Sequence, residues 1–199
     1  MLGYTVNISL IDTHPVISRK ITLPRNITFK RLHEIIGILY GFEESNRYVF
    51  HIDDDIKLFE YSDYGYCYDD VSECKIDTYF NDINFCGYEY CNESTWLFKI
   101  TIENKIDDVL IYPVVKSVKG KYNPSKIGDI TTFNQLLLYH KNPDKYPIEL
   151  YENELDSIEF IDKKLLQKRL DKLFNVENKK NTNVYVDSNY SLDKYLSNL

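Results

Sequence analysis

The residues of this chain that could do chemistry are few and scattered. Cys67, Cys74, Cys86 and Cys91 are separated by six, eleven and four residues. Thiolates hold zinc when they come as two close C-x2-C or C-x4-C pairs, and here only the last pair approaches that spacing. Set among Tyr and Phe, these cysteines read as buried or half-buried free thiols, with a zinc site as the alternative. The four histidines lie in a turn (His14), a helix (His33), a strand (His51) and at a helix end (His140), and no ligand set follows from their spacing. The sequence has no GxGxxG, GxxxxGK[ST], GxSxG or HExxH. Acidic doublets such as Glu43–Glu44 and Asp69–Asp70 weigh little in a chain with 31 Asp and Glu. Asp53–Asp55 lacks the alternating ligands, central Gly and final Glu of a calcium loop, so it reads as a solvated turn. No cofactor or catalytic residue is expected, and an enzymatic role is less favoured than binding.

The elements that must position these residues are clearer than the chemistry. "GYTVNISLI" (3–11) and "PVISRKITL" (15–23) are β-rich runs joined by a turn, with Pro24 ending the second strand. Thr28 is placed to cap a helix, Ile27 and Leu32 to staple it, and Gly41 to end it, with Phe29, Leu32, Ile35, Ile36 and Leu39 as its apolar stripe. His33 sits beside that stripe and reads as a boundary residue with one ring nitrogen on backbone. "RYVFHI" follows as a strand that points His51 away from Phe50 and Ile52.

A short strand is expected at 56–61 and a second hairpin at 84–91 and 96–103, where Trp96, Phe98, Ile100 and Ile102 share one face. "DVLIYPVVKSV" (108–118) reads as a strand broken by Pro113 and so placed at an edge or a bulge. Asp129 or Thr131 caps a short helix whose inward face would be Phe133, Leu136, Leu137 and His140. A last helix at 162–174 is capped by Asp162, with Leu166, Leu170 and Leu173 as its stripe. The expected class is α+β: a mostly antiparallel sheet with a β-grasp-like β-β-α-β opening and two or three packed helices. One domain is expected over residues 1–175, followed by a polar, flexible tail at 176–199.

Charge is unevenly spread. Residues 53–93 hold 12 Asp/Glu against 2 Lys, whereas 1–52 hold 4 against 6 and 94–199 hold 15 against 16. Taken as a whole the chain repels phosphate backbones, so direct nucleic-acid binding is disfavoured and a basic protein partner is attracted. No run is long and apolar enough for a bilayer and no secretion signal is evident, so a cytoplasmic, non-membrane protein is expected.

Leu10, Pro15, Ile17, Arg19, Pro24, Leu32, His33, Ile36, Gly41, Phe42, Phe50 and Ile52 follow the opening pattern of the plasmid pRiA4b ORF-3-like family. "YEYCNESTWLFKITIE" resembles that family's central motif through Tyr88, Tyr90, Trp96 and Ile100, and its later motif is echoed by Tyr112, Pro113, Gly120, Pro124, Gly128, Phe133 and Leu136–Leu137. The resemblance spans about residues 4–174 and implies an association with mobile elements. The departures fall on the family's polar positions, occupied here by Asn46, Arg47 and Tyr48, by Cys91 to Ser94, by Phe98 and by "YNPSKIGD". A metal or acid–base site carried by those positions in relatives would be degenerate here.

The resemblance, with helix packed on hairpin, groups His33, Tyr48, Tyr90 and Trp96 as the candidate binding surface. A non-enzymatic interaction module is the favoured reading, consistent with 18 tyrosines offering rigid amphipathic contact area. The alternatives are a degenerate metal-dependent enzyme, and a DNA mimic in which Tyr61, Tyr64, Tyr66 and Tyr68, interleaved with Asp63, Asp69 and Asp70, present negative charge to a basic nucleic-acid enzyme.

Overall fold

The computed structural model describes residues 3–42, 47–59, 71–91, 94–124, 127–145 and 159–175. Alternation of apolar and polar residues builds its first hairpin. Gly3–Leu10 (β1) turns Tyr4, Val6, Ile8 and Leu10 inward and pairs antiparallel with Ser18–Pro24 (β2). β2 begins at Ser18 rather than at Pro15, because residues 11–17 form a loop. Thr13 Oγ1 donates to the Leu10 carbonyl (3.2 Å) and accepts from Ile17 N (3.1 Å), closing that loop.

Phe29–Tyr40 (α1) follows, with its cap as the sequence predicts. Thr28 Oγ1 accepts from Arg31 N, and Gly41 takes φ +74°, the left-handed conformation that suits glycine. Phe29, Leu32, Ile35, Ile36 and Leu39 are fully buried. At about 2 kcal/mol each, that stripe holds the helix to the sheet with roughly 10 kcal/mol before chain entropy is counted.

Arg47–His51 (β3) and Lys57–Phe59 (β4) come next, then a single helical turn, Asp77–Phe80 (α2), that periodicity does not announce. Phe85–Cys91 (β5) and Thr95–Ile106 (β6) form the second hairpin. Val114–Lys119 (β7) starts only after Pro113 and is an edge strand, as expected. Tyr122–Asn123 (β8) pairs with Glu159–Phe160 (β9), and Ile130–Lys141 (α3) and Lys163–Leu173 (α4) complete the order. Asp129 caps α3 and Asp162 caps α4. Phe133, Leu136 and Leu137 face inward on α3, but His140 is exposed, a correction to the expected inward set.

The seven strands order as β4-β3-β5-β6-β1-β2-β7, and every pairing is antiparallel. The β-β-α-β order is present, but β3 pairs with β4 and β5 while β6 takes the edge of β1. A β-grasp pairing of β1 with the strand after the helix is therefore not made. The four helices among the described residues, α2 being the unforeseen one, add their apolar residues to one core. Phe29 meets Phe50 and Phe80 edge-on, Tyr40 meets Phe98, and Trp96 meets Phe133.

Two polar devices tie this assembly together. Tyr4 O–H donates to Asp77 Oδ1 (2.5 Å) and Asp77 pairs with Arg25, fixing α2 to β1 and to the loop after β2. Arg19, fully buried, donates to the carbonyls of Lys119 (2.6 Å), Gly120 (3.2 Å) and Leu39 (3.4 Å) and to Asn123 Oδ1 (3.5 Å), and lies over the Tyr40 ring. It joins β2, the β7–β8 turn and the end of α1. The outer edge of β7 is met by Gln167 of α4, whose amide accepts from Val115 N (2.8 Å) and donates to the Pro113 carbonyl (3.2 Å).

Candidate functional site

α1 carries His33 over the inward face of β3 and β5. The imidazole stacks on Tyr48 with centroids 3.6 Å apart and planes within 6°, and its Nδ1 lies 2.8 Å from Tyr88 Oη. It is 2 % exposed, so it is a core residue rather than the boundary residue its helical position suggests, and its Nδ1 is engaged by a side chain. Burial, followed by the neighbouring Tyr90 and Tyr48, keeps the Tyr88 phenol well above its ordinary pKa, so it stays protonated.

Tyr90 and Trp96 form the second half of the same floor. Phe42 stacks on Tyr90 (4.2 Å) and tilts against Trp96 (5.8 Å), and Tyr90 sits opposite Tyr48 across β5 and β3 and opposite Trp96 across β5 and β6. The structure thus brings His33, Tyr48, Tyr90 and Trp96 together. However, exposures of 2, 4, 1 and 1 % make them the floor beneath a surface rather than the surface itself. Trp96 Nε1 is buried and has no acceptor among the described residues.

The surface above that floor is a groove of about 370 Å³ between α1 and α4. The edges of His33 and Phe42 close its base, Gly37 and Gly41 keep one wall low, Ile38 and Leu173 supply apolar flanks, and Glu34 and Arg169 stand on either side. A Cβ at Gly37 would come within 3.2 Å of the Phe42 carbonyl. Glu34 is ion-paired with Arg31, whose guanidinium lies over Phe174 just past the end of α4 (5.4 Å). Ile38, Arg169 and Leu173 escape a sequence reading because the α1–α4 contact joins distant segments. Gly37 and Gly41, one turn apart on α1, are the only local hint of a low wall.

On the opposite face of the sheet, Glu89 lies between His51 Nε2 (3.1 Å) and Cys91 Sγ (3.4 Å). Burial first, and then the hydrogen bond to Glu89, raises the Cys91 thiol pKa, so this row does not supply a thiolate. Burial pushes Cys86 up to about 12. Cys86 and Cys91 are free thiols, and among the described residues no three His, Cys, Asp or Glu gather as metal ligands. Cys67, the Tyr/Asp segment at 61–70 and the tail at 176–199 lie outside the described residues. No described helix is long and apolar enough to cross a membrane.

The family model for "Plasmid pRiA4b ORF-3-like protein" matches residues 3–163. Among solved structures, the chain is similar to a crystal structure of a protein of unknown function from Methanosarcina mazei Go1. The TM-score is 0.60, with 22% identity over 72% of this chain and 84% of that one, a likeness of fold. No curated relative matches the chain.

Proposed function

Since the chain belongs to the plasmid pRiA4b ORF-3-like family, we propose that it serves as a non-enzymatic binding module whose seat is the α1–α4 groove. The observation that carries this reading is the engagement of the groove's titratable floor: His33 is stacked on Tyr48 and bonded to a protonated Tyr88. A general base must reach its substrate's proton, and this ring is instead fixed as part of a rigid aromatic base. The raised pKa values of Cys86 and Cys91 work in the same direction.

A volume of about 370 Å³ is at the small end for a ligand site and suits one or two large side chains of a protein partner, anchored between Ile38, Phe42 and Leu173. The full chain with ¹³C-labelled Ile and Leu methyl groups, titrated with N-acetyl-tryptophanamide and N-acetyl-leucinamide as anchor mimics, tests this seat. The Ile38 and Leu173 methyl resonances are expected to shift first. Shifts confined to Ile11 and Leu97, exposed near one another on the sheet, would refute it.

A further inference from the structure

The acidic character of the chain does not extend to every face. Residues 114–121 and 159–175, which hold β7 and α4 packed together, carry eight Lys/Arg against three Asp/Glu. Two of those acids are already engaged: Asp162 accepts from Leu165 N at the start of α4, and Asp171 accepts from Gln167 Nε2.

Lys164, Lys168 and Lys172 are exposed and recur every four residues, so they form one row along α4 with a rise of about 6 Å per step. Among the described residues none of the three is drawn into an ion pair. At the start of that helix stands Phe160, 58 % exposed, an unusual place for a phenyl ring; Lys121 lies over it at 5.6 Å. The backbone holds the pair in register, with Ile161 N donating to the Lys121 carbonyl (2.8 Å).

We infer that the α4 row and Phe160 form a binding face for single-stranded nucleic acid. A line of ammonium groups follows a phosphate backbone, and an exposed aromatic ring that already holds a cation over it offers an unpaired base an apolar contact and a charge together. Neither feature alone would choose this partner. A bare lysine row suits any polyanion, and a bare ring suits any apolar contact, but a ring at the head of a cationic row matches a strand whose bases are unpaired. In the sheet, β7, on which α4 packs, is the margin opposite β4 and β3, and at ordinary ionic strength a phosphate responds to charges within about 10 Å rather than to the net charge of the chain. This inference is independent of the groove.

The test is fluorescence anisotropy of a labelled dT15 strand with the full chain at several salt concentrations. With about four phosphates neutralised, log K is expected to fall with log salt at a slope near −3, or roughly 50-fold between 50 and 200 mM salt. K164E/K168E/K172E is expected to weaken binding at least tenfold and flatten the slope, whereas F160A weakens it about tenfold with the slope unchanged. All four positions are exposed, so urea melts of the variants should overlay the parent. No binding at 50 mM salt, variants that bind like the parent, or tighter binding of a duplex than of dT15 would each overturn the inference.

Discussion

Replacing Arg19 is the sharpest probe of how this fold is held. R19M keeps most of the side-chain volume and removes every donor, leaving the carbonyls of Ser18, Lys119, Gly120 and Leu39 and the Asn123 amide oxygen without this partner. A hydrogen bond from a charged donor nets about 1.5–3 kcal/mol, and only the Lys119 contact, at 2.6 Å, is short. Counting it in full and the four longer ones at about half gives roughly 6 kcal/mol. Desolvation of a buried guanidinium opposes this, so the expected loss is about 3 kcal/mol, or about 6–12 °C in melting temperature for a domain of this size. R19K should fare little better, because one ammonium cannot span acceptors on β7, β8 and α1. Urea unfolding followed by the fluorescence of Trp96, the chain's single tryptophan, reads both variants, with the denaturant slope unchanged. A loss under about 1 kcal/mol in R19M, or parental stability in R19K, would refute the view of Arg19 as a multi-point clamp.

Other expectations concern acid, thiols and the helix cap. Partial burial works against it, but hydrogen bonds from Tyr4 and Arg25 hold Asp77 below the ordinary carboxylate value. Its contribution is therefore present at neutral pH, above the unfolded pKa, and is lost as pH falls through the lower folded one. D77N should be less stable than the parent at pH 7, with the gap closing as pH falls below the ordinary carboxylate range in parallel urea melts. Iodoacetamide at pH 8 should modify Cys74 and Cys91, both half-buried, well before Cys86, which labels only on unfolding; peptide mass mapping of timed samples decides the order. Thr28→Ala removes the side-chain acceptor for Arg31 N and should cost about 1 kcal/mol by the same urea assay.

What the sequence makes legible here is local. Thr28, Ile27, Leu32 and Gly41 define α1 because capping, stapling and left-handed termination are settled within a turn or two of chain. The Trp96–Ile102 alternation likewise defines β6, and Asp162 with Leu166 defines α4. Where distant segments decide, the reading fails. His33 is judged by its helical position as a boundary residue, yet β3 and β5 close over it through Tyr48 and Tyr88. His140 fits the period of α3 but is exposed. α2 has no period at all, since a single turn is held by Tyr4 and Arg25 from elsewhere in the chain. The four grouped site residues do converge, through pairing that the second hairpin makes predictable. Their depth depends on α1 and Phe42 lying above them, which no spacing discloses.

The amide of Gln167 presents to β7 an acceptor and a donor at the spacing a neighbouring peptide group would offer, so it acts as a counterfeit strand one residue long. For crowded copies of the chain this sets an arithmetic of growth. A strand from another copy that approaches β7 at Val115 must first displace this amide, so growth through that margin is disfavoured. A single side chain of α4 thus raises the cost of sheet-to-sheet addition at this margin.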